Sequence, residues 1–73
     1  MTFEWDPKNE VLEIHGNKQG IENLRNKLDL LIASGGNDHI HLMTKEWGGE
    51  ELSSEKQATE NHLIHGVKIF KWE

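Results

Sequence analysis

One stripe of apolar residues at helical spacing constrains the fold of this chain more than any other feature. The stripe consists of Ile21, Leu24, Leu28, Leu31 and Ile32. Intervals of three, four, three and one residues place all five on one side of an α-helix, while polar residues cover the opposite side. Asn17 is a good N-cap and Gly35 a natural C′ residue, so we predict a helix over about residues 18–34. A helix with one apolar side needs an apolar surface to cover.

Segments of alternating apolar residues predict the strands that supply this surface. Phe3 and Trp5 indicate a first strand, Leu12 and Ile14 a second, and the turn signal Asp6-Pro7-Lys8-Asn9 joins the two into a hairpin. We expect these four apolar residues to face the core. A third strand covers about residues 38–44 and a fourth about residues 63–72. In the fourth, Val67 and Ile69 face the core, and Phe70 and Trp72 lie on the other side.

The order β-β-α-β-β predicts a single α+β domain over residues 1–73. We expect a two-layer sandwich in which one helix covers one face of a four-stranded, mostly antiparallel sheet. The strand order stays open at this point. The residues expected to be nearly buried are Ile21, Leu24, Leu28, Leu31, Ile40 and Leu42. The second face of the sheet is left open as an interaction surface, unless a second copy of the chain or the long polar loop over residues 45–61 covers it.

Composition limits the class of function. The chain has no cysteine, which agrees with a reducing, intracellular setting and excludes a thiolate metal site. The formal net charge of −5 argues against nucleic acid as a direct partner, because phosphate binding needs a basic surface. The first residues lack a basic region followed by an apolar run, so we expect no signal peptide, and no apolar stretch comes near the roughly 20 residues that cross a bilayer. We therefore expect a cytoplasmic protein that contacts neither nucleic acid nor membrane.

The third strand carries histidines on the face away from the core. Ile40 and Leu42 fall on one side of it, and His39, His41 and Met43 on the other. His-x-His is a spacing that zinc sites use, with a third ligand available among His15, His62, His65 and Glu13. No local spacing fixes that third ligand. Structural or pH-sensitive histidines are therefore favoured, and we expect neither metal nor cofactor.

No group of residues indicates catalysis. Ser34, Ser53 and Ser54 lie in polar segments without an identifiable base, and there is no glycine pattern of a nucleophile elbow. Glu50 and Glu51 belong to an acidic loop, and we expect this loop to be solvated surface. The sequence therefore predicts a protein that is not an enzyme. A small metal-binding or enzymatic domain that uses His39 and His41 remains the alternative.

A resemblance to a known family rests on two motifs. Asp38-His39-Ile40-His41-Leu42-Met43-Thr44 precedes Trp47-Gly48-Gly49, and Ile64-His65-Gly66-Val67-Lys68-Ile69 closes the chain. With these motifs the chain resembles the immunity protein 32 family of bacterial polymorphic toxin systems. The resemblance implies a small cytoplasmic protein, encoded beside a toxin, that protects the producing cell by binding and inhibition. It implies no catalytic residue and no particular toxin.

The strand with the histidines runs directly into the Trp-Gly-Gly turn, so both should lie at one end of the domain. We predict a partner-binding surface there. It consists of His39, His41, Met43, Glu46, Trp47, Glu50 and Glu51. Trp47 has two possible roles, as an aromatic contact residue or as an anchor that fixes its own loop. A homodimer through the open sheet face is a further use of the same surface.

Overall fold

The computed structural model describes residues 1–73 and has the α+β class that the sequence predicts. Its elements are β1 (Thr2–Asp6), β2 (Val11–His15), α1 (Lys18–Ala33), β3 (Asp38–Met43), a 3-10 helix (Lys45–Trp47), β4 (His62–Ile64) and β5 (Gly66–Lys71). The helix α1 has neither the length nor the apolar character to cross a membrane.

The predicted hairpin is present. β1 and β2 pair antiparallel, with Phe3 opposite Ile14 and Trp5 opposite Leu12. Asp6 closes the turn, since its Oδ1 accepts a hydrogen bond of 3.0 Å from the backbone amide of Lys8. Only Phe3 reaches the core: Trp5, Leu12 and Ile14 share its face but are 37, 53 and 46 % exposed. All four residues lie on the predicted face, but the helix does not extend over the outer part of this hairpin and leaves three of them exposed.

The helix begins as predicted, since Asn17 Oδ1 accepts a 2.8 Å hydrogen bond from the Gly20 amide. It ends at Ser34, whose amide donates to the carbonyls of Leu30 and Leu31, so no left-handed residue is needed at Gly35. The predicted burial of the stripe is only partly correct. Leu31 is buried and Leu24 and Leu28 are half-buried.

Ile32 of the stripe is 72 % exposed, and the prediction of burial is wrong for Ile21, which is 47 % exposed. It lies in the first turn of α1, and its Cδ1 would be 3.2 Å from a Cβ built on Gly16. The helix packs chiefly on β3. The first turn therefore lies above the end of β2 and not above the centre of a sheet.

The predicted single four-stranded sheet is wrong, because the last segment is divided at His65. β4 pairs antiparallel with β1, giving the order β2-β1-β4, while β5 pairs antiparallel with β3 as a separate two-stranded sheet. β1 begins at Thr2, so its ladder with the last segment ends at the Phe3–Ile64 pair. β3 takes over from Gly66 onward, and the His65 carbonyl accepts from the Thr44 amide at 2.9 Å.

The core lies where the two sheets meet under the helix. Phe3, Leu42 and Leu52 are buried together, and half-buried apolar side chains pack around them. Ile40 is half-buried. Leu52 belongs to the long loop and forms a parallel bridge with Thr44. The core is therefore small, and part of it is supplied by the connection that follows β3.

Candidate functional site

The pairing of β3 with β5 places the histidines on an open face. His39 lies opposite Phe70, His41 opposite Lys68, and Met43 opposite Gly66. The alternate residues, among them Leu42, point into the core. We call the outward surface the histidine face. It comprises His39, His41, Met43, Trp47, Gly66, Lys68, Phe70 and Trp72.

Stacked rings form a row across the histidine face. The His39 and Phe70 rings are 5.1 Å apart between centroids and inclined by 30°, and those of Phe70 and Trp72 are 5.9 Å apart and nearly parallel at 7°. Phe70 is 50 % exposed and Trp72 75 % exposed. The row is thus a flat apolar surface whose rings are already ordered, and it is open to water.

The Trp-Gly-Gly turn brings a second tryptophan to the same face. Gly48 has the left-handed φ of 88° that lets the chain reverse after the 3-10 helix. Gly49 donates to the Thr44 carbonyl at 2.9 Å, and a Cβ there would lie 2.5 Å from the Met43 carbonyl oxygen. The predicted sharp turn is therefore confirmed, and glycine is required for its close approach to β3.

Trp47 lies over Gly66 and against His65. A Cβ built on Gly66 would be 3.0 Å from Cε3 of the indole, and the Trp47 and His65 rings are 5.6 Å apart at 20°. The His65 ring is fixed in turn, since its Nδ1 is 2.8 Å from Thr44 Oγ1. Trp47 nevertheless stays 61 % exposed. The contacts with Gly66 and His65 therefore hold the indole in place, while most of its ring faces solvent.

His39 and His41 are in direct contact. Their Nε2 atoms are 2.9 Å apart, which is a hydrogen bond when one ring donates and the other accepts. Neither His15, His62 and His65 nor Glu13 completes a site with them: no group of three or more His, Cys, Asp or Glu side chains is placed to hold a metal ion. The pair alone offers at most two nitrogen ligands.

Glu46 lies beside Trp47 at the border of the histidine face. It accepts a hydrogen bond from the Ser54 hydroxyl, and its Oε2 is 3.8 Å from His65 Nδ1. The Ser54 hydrogen bond is the largest of the causes that hold the pKa of Glu46 below its ordinary value. Glu46 is thus an ionised carboxylate next to an exposed indole.

Glu50 and Glu51 lie elsewhere. Glu51 accepts from the Glu50 amide at 2.7 Å and the Met43 amide at 3.2 Å, and the first of these bonds is the main cause that lowers its pKa. Both glutamates line a cleft of about 610 Å³ against the helix, which Lys27 and Leu42 also line. The structure therefore brings five of the seven predicted residues together and leaves Glu50 and Glu51 on the helix side.

Comparison with known sequences adds the family. The sequence model of the immunity protein 32 family matches residues 11–67, which is most of the 73-residue chain. The chain belongs to the immunity protein 32 family. The resemblance seen in the sequence is thus confirmed. No curated protein and no solved structure gives a significant match.

Two aromatic residues of this immunity protein 32 family member were not among the predicted contact residues. Phe70 and Trp72 lie beyond the matched residues and complete the row that begins at His39. Strand alternation already placed both on the side away from the core. That signal was sufficient to include them, whereas the contact of Trp47 with His65 depends on the break between β4 and β5.

A buried carboxylate was also missed. Glu4 is 0 % exposed. Its Oε2 accepts from Thr2 Oγ1 at 2.5 Å and from the Gln57 amide at 2.9 Å. Its Oε1 accepts from the Ala58 amide at 3.2 Å and from Asn61 Nδ2 at 3.1 Å. Burial raises the pKa of Glu4, but these four hydrogen bonds outweigh it and lower the pKa to about 2.

The position of Glu4 explains which face of the molecule is open. Its bonds hold the loop over residues 53–61 against the second face of the β2-β1-β4 sheet. The β3-β5 sheet has no such cover on its histidine face. The long loop therefore covers the second face of the β2-β1-β4 sheet, as one alternative expected, but it leaves the second face of the β3-β5 sheet open.

Proposed function

We propose that this protein is an immunity protein that binds a cognate bacterial toxin and neutralises it by a non-catalytic protein–protein interaction. Membership of the immunity protein 32 family supports this role. The observation that carries it is the histidine face, on which Trp47, Phe70 and Trp72 are all at least half exposed. Tryptophan and other aromatic residues dominate binding energy at protein interfaces and are costly to leave in water.

The arrangement of the rings supports binding without a large conformational change. Phe70 is stacked between His39 and Trp72, and Trp47 is seated on Gly66 against His65. Rings that are already ordered lose little side-chain entropy when a partner covers them. We therefore place the contact surface on His39, His41, Met43, Glu46 and Trp47, extended by Phe70 and Trp72.

Charge supports the choice of partner. The chain carries a formal charge of −5. A toxin that acts on nucleic acid needs a basic surface for phosphate, and an acidic inhibitor is drawn to such a surface by long-range attraction. Glu50 and Glu51 add to this field although they lie on the helix side. The encounter belongs in the bacterial cytoplasm, as the family resemblance implies.

Co-expression with the toxin encoded beside the gene tests the proposal. We expect cells that make the toxin to survive with the wild-type protein and to die with the Trp47→Ala and Trp72→Ala double variant. Leu30→Ala is the matched control, because Leu30 is an exposed apolar residue of α1 outside the histidine face. Equal killing with and without the wild-type protein would show that the proposal is wrong.

The contact between His39 and His41 favours a second candidate, a small metal-binding domain. Two imidazole nitrogens 2.9 Å apart on an exposed strand can chelate one transition-metal ion. Calorimetric titration with zinc separates the candidates. Sub-micromolar binding that is lost in the His39→Ala and His41→Ala double variant would favour the metal site, and weak or absent binding would leave the toxin-binding role alone.

A further inference from the structure

We propose that two copies of this chain pair edge to edge through β2, antiparallel and about a twofold axis at Glu13. The sheet order β2-β1-β4 leaves β2 with a partner on one side only. The outer edge of Val11–His15 therefore presents unpaired backbone amides and carbonyls. This surface is distinct from the histidine face, which belongs to the other sheet.

The side chains on this edge are apolar where a surface strand is normally polar. Leu12 and Ile14 are each about half exposed, and Trp5 lies beside Leu12 on the same face. The strand contains neither lysine nor proline, two residues with which proteins commonly protect a free edge. Helix α1 does not cover this part of the hairpin, so the outer half of each of these side chains is open to water.

The strand is complementary to itself. When two antiparallel copies are centred on Glu13, Leu12 of each copy lies opposite Ile14 of the other, and Val11 lies opposite His15. Each apolar row then runs from Trp5 and Leu12 of one copy to Ile14 and Phe3 of the second, and the twofold axis repeats the row in the opposite direction. The closed twofold arrangement leaves no further β2 edge free, so pairing ends at two copies.

Glu13 lies at the axis, where two like charges would oppose pairing. Its carboxylate is turned to the loop side of the sheet: Oε1 is 2.8 Å from His15 Nε2 and accepts from Asn61 Nδ2 at 3.1 Å. These contacts hold the charge away from the strip formed by Leu12 and Ile14. The repulsion is a cost that the apolar contact has to exceed.

The chain as a whole exposes more surface than a compact monomer of its mass. The accessible surface is 5303 Å². A compact monomeric protein of 8.4 kDa exposes about 4,600 Å², so this chain has an excess of about 700 Å². A stable interface takes about 800 Å² from each partner. Only four large apolar residues are buried in this chain, and association is a common way to stabilise so small a core.

Sedimentation of the wild-type protein over a range of concentrations tests the proposal. We expect a species of twice the 8.4 kDa chain mass at high concentration, and at least a tenfold weaker dimer in the Leu12→Thr and Ile14→Thr double variant. Threonine keeps the preference for a strand while it removes apolar contact. Leu30→Thr is the control and should dimerise normally. A wild-type protein that stays monomeric throughout would overturn the proposal.

Hydrogen exchange of the wild-type protein provides a test that needs no variant. Pairing should slow the exchange of β2 amides as the concentration rises, while Phe70 and Lys68 in β5 keep their rates. A dimer that protects the histidine face and not β2 would overturn the proposal. The proposal would also be overturned if the protein stays monomeric and the exchange of β2 amides is slowed only by the toxin. The edge would then be a toxin-binding strand.

Discussion

Asn61 Nδ2 donates a hydrogen bond of 3.1 Å to Glu4 Oε1, although 57 positions separate the two residues. The same Nδ2 also donates to Glu13 at 3.1 Å. One amide therefore ties the long loop to both strands of the first hairpin. Because the loop has few apolar residues of its own, these polar contacts decide whether it stays on the sheet.

We predict that Glu4→Gln destabilises the protein by at least about 2 kcal/mol at pH 7. A carboxylate accepts at both oxygens, whereas glutamine has one acceptor and one NH₂ donor. The NH₂ would face either the Ala58 amide and Asn61 Nδ2 or the Gln57 amide and the Thr2 hydroxyl, so at least one buried N–H group would face another donor. Urea unfolding measures the change.

Glu60→Gln is the matched control, since Glu60 is an exposed carboxylate of the same loop. It should leave stability within about 0.5 kcal/mol of the wild-type value. If Glu4→Gln and Glu60→Gln unfold at the same urea concentration, the Glu4 hydrogen bonds do not hold the loop.

The pKa of Glu4 predicts how stability depends on pH. It falls from an ordinary value of 4.5 to about 2 in the folded protein, so the unfolded chain binds more protons between these values. The free energy of unfolding is then greatest above about pH 4.5 and decreases as pH falls toward 2. Lowered pKa values at Glu46 and Glu51 act in the same direction. The free energy of unfolding, measured from pH 2 to 7, should depend less steeply on pH in Glu4→Gln than in the wild-type protein.

Local patterns predicted the elements of the fold but not their assembly. The spacing of Leu24, Leu28 and Leu31 gave the helix within one residue of its end, and alternation gave the hairpin and β3. The division of the last strand at His65 depends on which strand pairs with each half. Alternation within one segment carries no information about pairing partners, so the two sheets could not be told from one.

The candidate site, too, could be predicted from the sequence only in part. His39, His41 and Met43 share a face by strand periodicity alone, and the turn at Gly48 and Gly49 was evident from their conformational freedom. Where Glu51 points was not predictable, because its carboxylate accepts from the Met43 amide across a folded loop. Glu4 gave no signal either, since its loop partners lie more than fifty positions away.

Burial predicts different costs for two leucines that the sequence analysis expects to be nearly buried. Leu42 is 2 % exposed and belongs to the core cluster, whereas Leu28 is half-buried. We expect Leu42→Ala to destabilise by about 2–5 kcal/mol and Leu28→Ala by clearly less. Chemical unfolding of both variants measures the difference. Equal losses would mean that α1 covers the sheet more fully than its exposed residues indicate.

Trp47 tests the proposed contact surface. We predict that Trp47→Ala weakens toxin binding by at least about 2 kcal/mol, mainly through faster dissociation, and lowers the melting temperature little because most of the ring is exposed. Gly66→Ala should weaken binding too, since its Cβ would lie 3.0 Å from the indole and displace it. Surface plasmon resonance separates the two rates. A large loss of melting temperature with normal binding by the folded fraction would make Trp47 a structural anchor.

Charge reversal at Glu46 and at Glu50 separates the effect of a charge beside the contact surface from the effect of the net charge. Glu46→Lys and Glu50→Lys change the net charge equally, so each should slow association with a basic toxin at low salt and reduce its dependence on salt. Only Glu46 lies beside Trp47 on the border of the histidine face, whereas Glu50 lines the cleft against α1. We therefore expect Glu46→Lys to slow association by about tenfold and Glu50→Lys by clearly less. Stopped-flow mixing at two salt concentrations measures both rates. A larger effect of Glu50→Lys would move the toxin contact from the histidine face to the helix side.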